Sequence, residues 1–185
     1  AGFGLFNAGG IIFMIVGITL SKRLADKYGK RDVFGVALFI STLFILFFYL
    51  FAAKSVELMF ASQVLHGFFY GITIPLLWAM IADVADYSEW KNNRRATAII
   101  FSAMMVGLKG GLSIGSALLT KFLGIFHYVP NSDSVQTDSA IQGTKMLVSV
   151  FPAIPFLIGV GLLFFYEINK KMEVRIESDL KERRQ

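Results

Sequence analysis

Five stretches of this 185-residue chain are apolar for about the length needed to cross a bilayer, and that limits what it can fold into. They cover residues 2–20, 33–53, 58–81, 96–123 and 144–166. A hydrocarbon core ~30 Å thick takes roughly 20 helical residues at 1.5 Å rise each. A surface helix of a water-soluble bundle keeps one polar face, and these blocks leave no such face. The predicted fold class is an all-α membrane protein, a helical bundle of five transmembrane helices. Residues 1–166 form the membrane part and residues 167–185 a polar tail. The chain opens inside an apolar block, with neither Met nor a basic flank, so a signal peptide is not expected there and a longer parent is.

The chain is 55% hydrophobic with 19 Phe, and the excess sits in those blocks. It has no cysteine, which excludes disulfides, thiolate metal sites and cysteine nucleophiles. Two histidines, His66 and His127, are too far apart in sequence to suggest a metal site. The net charge of +5 does not point to nucleic acid, because the basic residues gather at the ends of apolar blocks. Lys22, Arg23, Lys27, Lys30 and Arg31 lie between spans one and two, and Lys91, Arg94 and Arg95 between three and four. Six more are in the tail: Lys170, Lys171, Arg175, Lys181, Arg183 and Arg184. The opposite side has only Lys54, Lys121 and Lys145. Positive charge stays inside, so the C-terminus is expected in the cytoplasm and Ala1 outside. The tail carries apolar Met172, Val174, Ile176 and Leu180, and is expected either as a surface-lying helix or as a solvated tail.

Polar residues within the spans are the candidate functional residues. Lys109 lies roughly 13 residues, ~20 Å, from either end of span four. Its side chain reaches only ~6 Å toward water, and a mid-span Lys costs about 2.5–3.5 kcal/mol. A cavity or a carboxylate partner is therefore expected. Ser102, Ser113, Ser116 and Thr120 fall within about 40° of Lys109 on the helical wheel. Gly107, Gly110, Gly111 and Gly115 lie on the other side, where small residues let a neighbouring helix pack closely. The plainer reading is that the hydroxyls bond their own i−4 carbonyls.

On span three, Gln63, His66, Tyr70, Thr73 and Trp78 share an arc of about 140°. Rings beside hydrogen-bonding groups suit a sugar, and ordinary helix packing explains the same pattern. Gly67 and Gly71 fit close helix approach. Pro75, Pro152 and Pro155 are expected to kink or interrupt their helices. Asn7 is expected to pack.

Two loops carry a recognisable pattern. The first reads Leu24-Ala25-Asp26-Lys27-Tyr28-Gly29-Lys30-Arg31, with Gly29 fit for a tight turn. It resembles the loop motif of the major facilitator superfamily. The second runs Ala82-Asp83-Val84-Ala85-Asp86-Tyr87-Ser88-Glu89-Trp90-Lys91, then Arg94-Arg95-Ala96-Thr97, with Ser102 and Lys109-Gly110-Gly111 following. This resembles the glycoside–pentoside–hexuronide:cation symporter family, as does Tyr128-Val129-Pro130-Asn131.

The resemblance implies a major facilitator-type helical bundle in which these spans are helices eight to twelve of twelve. It implies transport of a sugar or glycoside coupled to Na⁺ or H⁺ by alternating access, in a bacterial inner membrane. Lys109 matches a lysine near the sugar and cation sites, with Ser102, Ser113, Gln63, His66, Tyr70 and Trp78 as further substrate-side candidates. Asp83, Asp86, Glu89, Lys91, Arg94 and Arg95, with Asp26, Lys30 and Arg31, match charged loops near the cytoplasmic opening, where three acids and three bases of the second loop would pair as a gate. No catalytic residue, resident metal or cofactor is implied. The coupling-cation site would lie mostly in an N-terminal half outside this sequence. Partners are that half, membrane lipid and the sugar, with no nucleic acid. An exporter of another amphiphile, an intramembrane enzyme, and a non-transporting sensor or scaffold are the competing classes.

Overall fold

The structure is a computed structural model that describes residues 2–50, 55–94, 96–130 and 136–183, with side chains from residue 4. Among the described residues the regular structure is entirely helical. Helices α1 (Gly2–Tyr28), α2 (Lys30–Leu50), α3 (Val56–Asn92) and α4 (Thr97–Ile125) carry the first four spans, and α5 (Asp138–Val148) with α6 (Val150–Leu162) carries the fifth. A short 3-10 turn, Leu163–Phe165, leads to the tail helix α7 (Lys170–Arg183).

Each apolar stretch falls on a helix, and the helices outrun the stretches. α1 continues through the first basic loop to Tyr28 and yields only at Gly29, whose φ of 93° suits the one residue without a Cβ. α2 begins at the next residue. α3 is 37 residues long, about 55 Å at 1.5 Å per residue, against a core of ~30 Å. The acidic segment 82–91, expected as a loop, is its last turns. It stays helical because neither Gly nor Pro interrupts it, and it stops at Asn93, in the left-handed conformation at φ 52°. α3 passes through Pro75 as one helix.

The fifth span is interrupted at Ser149, three residues before Pro152. Pro152 has no N–H for the Val148 carbonyl, and its ring crowds that carbonyl. α5 starts earlier than expected, where Thr137 accepts a hydrogen bond from the Ala140 N–H at 3.2 Å.

α3 is the axis of the bundle. α1 crosses it so closely that a Cβ at Gly67 or Gly71 would strike the backbone of Gly10 or Met14, and one at Gly17 the carbonyl of Phe68. The close-approach reading of Gly67 and Gly71 holds. α2 joins the same seam, where buried Ala25, Ala37, Ile72 and Leu76 meet Leu24, Val33 and Phe34. The Ser62 hydroxyl crosses to the Phe44 carbonyl of α2 at 2.7 Å. Among the described residues no buried side-chain N or O lacks a partner, as a low-dielectric interior requires.

α4 differs from the expectation for its glycine face. None of its residues is buried, and a Cβ at Gly107, Gly110, Gly111 or Gly115 would meet nothing within 4 Å. Within this chain that face is open rather than clamped to the bundle. The tail is a helix rather than a solvated strand of chain. It packs on the protruding end of α3, with Ile168, Ile176 and Leu180 buried against Val84, Tyr87 and Trp90.

Candidate functional site

Two groups of polar residues stand out, one within the spans and one at the end where the basic loops gather. Within the spans, Lys109 is exposed on α4 and no carboxylate among the described residues pairs with it. Ser102 and Ser113 are exposed beside it on the same helix face. Lower on the stripe, Ser116 donates to the Leu112 carbonyl and Thr120 to the Ser116 carbonyl at 3.0 Å. The plain i−4 reading therefore holds for those two hydroxyls. What remains is a charge with two unengaged hydroxyls on a surface that apolar lipid cannot solvate.

The α3 stripe is divided among neighbours. Gln63 lies against Gly10 of α1, whose Cβ position is 2.9 Å from the amide nitrogen. His66 turns to α2, its Nδ1 2.8 Å from the Ser41 hydroxyl and 3.1 Å from the Ser41 carbonyl. Tyr70 stacks on His66 at 5.7 Å and on Phe156 of α6 at 6.0 Å, while Thr73 donates to the Tyr70 carbonyl at 2.7 Å. Trp78 is 41% exposed. Of these residues the structure brings His66, Tyr70 and Thr73 into mutual contact.

The loop charges form a clasp that local pairing rules did not reveal. Lys30, at the start of α2, donates to both carboxylate oxygens of Asp83 on α3 at 2.7 and 2.8 Å. The same ammonium lies 3.0 Å from Glu173 on α7. One base thus ties three elements, with the three side chains only 16–24% exposed. Asp86 lines the adjoining cleft of about 280 Å³ with Glu177.

Around this centre, the Trp90 indole N–H donates to Asp179 at 2.7 Å, and the Arg175 guanidinium sits 5.8 Å over the indole ring. Lys91 donates to the Tyr87 hydroxyl at 3.0 Å, which donates to Glu167 at 3.1 Å. Arg183 reaches the Trp90 carbonyl and the Asn93 side chain. Tyr166 donates its hydroxyl to the Met80 carbonyl at 3.1 Å. Arg31 pairs with Asp32 at 2.9 Å and donates to the Tyr166 carbonyl.

The expected gate is therefore rearranged. Asp83 pairs across elements with Lys30 of α2, whereas Lys91 stays within its own segment, on the Tyr87 hydroxyl one turn away. Glu89 is half-buried, Arg94 and Asp26 are exposed, and Arg95 lies outside the described residues. Glu173, Asp179, Glu167 and Tyr166 were not expected in the cluster. The i, i+4 rhythm of Met172, Ile176 and Leu180 marks a one-faced helix, but nothing local names the surface it covers.

The comparisons bear on what such a bundle does. The family described as MFS/sugar transport protein matches residues 1–170. An uncharacterized 29.9 kDa protein of Pseudescherichia vulneris is 34% identical over 86% of the chain. The uncharacterized symporter YjmB of Bacillus subtilis (strain 168) is 30% identical over 89% of it. A glucuronide carrier protein homolog of Escherichia coli (strain K12) is 25% identical over 95%. The matched stretches are 58%, 36% and 39% of the lengths of those three relatives. Further relatives bear exporter names. On the match across residues 1–170 and these relatives, the chain belongs to the MFS/sugar transport proteins, as a multi-pass membrane protein of the glycoside–pentoside–hexuronide:cation symporter family, whose members are transporters and not enzymes.

Proposed function

We propose that the protein carries a sugar or glycoside across a bacterial inner membrane together with Na⁺ or H⁺, by alternating access, with the tail on the cytoplasmic side. The observation that carries this reading is Lys109, a mid-span ammonium beside exposed Ser102 and Ser113 on one face of α4. A charge there is tolerated where it lines an aqueous path or meets a ligand. Hydroxyls beside an ammonium are donors and acceptors of the kind that bind a polyol. The family description and the symporter and carrier names of relatives support the same substrate class. Trp78 offers the ring face on which a pyranose stacks, whereas Gln63, His66 and Tyr70 serve contacts between helices.

The clasp at Lys30 is the cytoplasmic closure in this reading. Its ion pairs hold α2, α3 and α7 together in one state, and a gate of this kind works only if they are exchanged in the other. The direction of transport follows from the cation gradient and is part of the test.

Uptake of labelled glycosides into inverted and right-side-out membrane vesicles, under imposed Na⁺ or H⁺ gradients, decides the matter. Gradient-driven accumulation that collapses in Lys109→Gln at equal expression is the expected result. Accumulation unaffected by Lys109→Gln would remove Lys109 from the path. Extrusion without glycoside uptake would favour the exporter class.

A further inference from the structure

Asn7 on α1 is expected from sequence to pack, and the structure leaves it exposed instead. Asn7 and Gln63 of α3 each lie five residues, about 8 Å, inside their apolar stretches, 2–20 and 58–81. The two helices run in step where they touch. A Cβ at Gly67 would strike Gly10, and one at Gly71, a turn further on, would strike Met14, a turn further on. On that register Asn7 stands level with Val64, beside Gln63. Asn7 also shares the flank of α1 that carries Gly10 and Met14, three and seven residues later. Gln63 borders this flank, its stem and amide 2.9–3.4 Å from where a Gly10 Cβ would stand.

Gln63 packs by its stem, while its amide end is only half-buried. Neither amide makes a hydrogen bond to another described residue. Hydrocarbon cannot satisfy an amide, whereas an aqueous path or a polar ligand can. Each amide offers a carbonyl acceptor and an NH₂ with two donors. A sugar hydroxyl both donates and accepts, so two amides side by side match two hydroxyls on adjacent ring carbons.

We infer that Asn7 and Gln63 are specificity-determining residues, which together form a subsite for two adjacent hydroxyls of a glycoside ring. The inference rests on the sugar-transport reading above and adds to it the side chains that select the ring. Neither amide is charged, so the subsite reads the position of hydroxyls and leaves any charge on the substrate to Lys109. The Tyr70 hydroxyl lies seven residues along the same face of α3 and also makes no hydrogen bond to another described residue. It extends the polar edge from the amides toward mid-span.

The test is isothermal titration of the purified full-length transporter with the methyl β-glycosides of glucose, galactose and xylose, and with the deoxy analogues of whichever binds tightest. Removing either of two adjacent ring hydroxyls should weaken binding to the wild type about tenfold, the scale of one hydrogen bond. Asn7→Leu and Gln63→Met nearly keep the side-chain volume and remove the amide. Each should weaken the parent glycoside about tenfold and cancel the penalty for one of the two deoxy analogues. Equal weakening of the parent and all its deoxy analogues in the variants would overturn the subsite, leaving the amides a packing role. Affinity unchanged in both variants would overturn it too, and either result leaves the sugar-transport reading standing. Binding of no glycoside by the wild type would overturn that reading and this inference together.

Discussion

Helices α3 and α4 are written alike and used differently. Each carries a polar stripe and a set of glycines. On α3 the glycines are filled by α1, whose backbone lies where a Cβ would go at Gly67 and Gly71. The polar side chains beside them are then drawn into contacts between helices. On α4 the glycines face open space, and Lys109 has no acid partner among the described residues. The lesson is that a small-residue face records the capacity for close approach, and only the presence of a matching ridge in the same bundle turns it into a contact.

The sharpest way to break this comparison is the same substitution on both helices. Gly71→Ala puts a methyl into the backbone of Met14. It should destabilise the bundle by at least about 1–3 kcal/mol, the usual range for overpacking, and reduce the yield of monodisperse protein in detergent. Gly111→Ala has nothing to strike and replaces a poor helix former, so it should be neutral or stabilise α4 by up to about 1 kcal/mol. Thermal unfolding followed by size-exclusion fluorescence compares them. Similar losses at both sites would show that α4 packs through its glycines as α3 does.

The helical membrane class was legible in sequence because hydropathy reports preference for lipid directly, and each of the five apolar stretches falls on a helix long and apolar enough to cross a membrane. Hydropathy reports where the membrane ends, however, and not where a helix ends. Asp83 to Lys91 are charged but free of Gly and Pro, so α3 carries on through them and only Asn93 stops it. The clasp was the least legible part. Lys30, Asp83 and Glu173 come from three segments far apart in the chain, and no local spacing encodes their meeting. Lys109 was legible as an anomaly because one charge in an apolar run needs no partner to be noticed. The fate of the α3 stripe was not, since Ser41 and Phe156 lie on other helices.

A second contrast is between the centre of the clasp and its rim. Lys30→Met leaves Asp83 and Glu173 facing one another with the shared base gone. These groups are partly exposed, so the loss should be about 1–2 kcal/mol rather than the ~3–5 kcal/mol of a fully buried pair. It should appear as release of α7, read by limited proteolysis of the tail. Trp90→Phe keeps the ring against Ile176 and Leu180 but removes the N–H bond to Asp179. A smaller loss, about 1 kcal/mol, is expected. If Trp90→Phe releases the tail more than Lys30→Met, the indole hydrogen bond to Asp179 and not the Lys30 centre holds α7.

The smallest effect belongs to the outer face of α7. Lys181 donates to Glu177 at 2.7 Å one turn away, and both are well exposed, at 71% and 65%. That contact holds the Glu177 carboxyl below its usual range. A depressed carboxylate contributes stability that is present above its unfolded pKa and is lost as pH falls through the folded one. The pair is solvent-screened and local to one helix. Lys181→Ala should therefore leave tail proteolysis unchanged at neutral pH. Any contribution of Glu177 should fade only at acid pH, as the pH falls through its depressed pKa. Tail release by Lys181→Ala at neutral pH would mean that the rim, and not the Lys30 centre, anchors α7, and would shift the gate away from the α2–α3 junction.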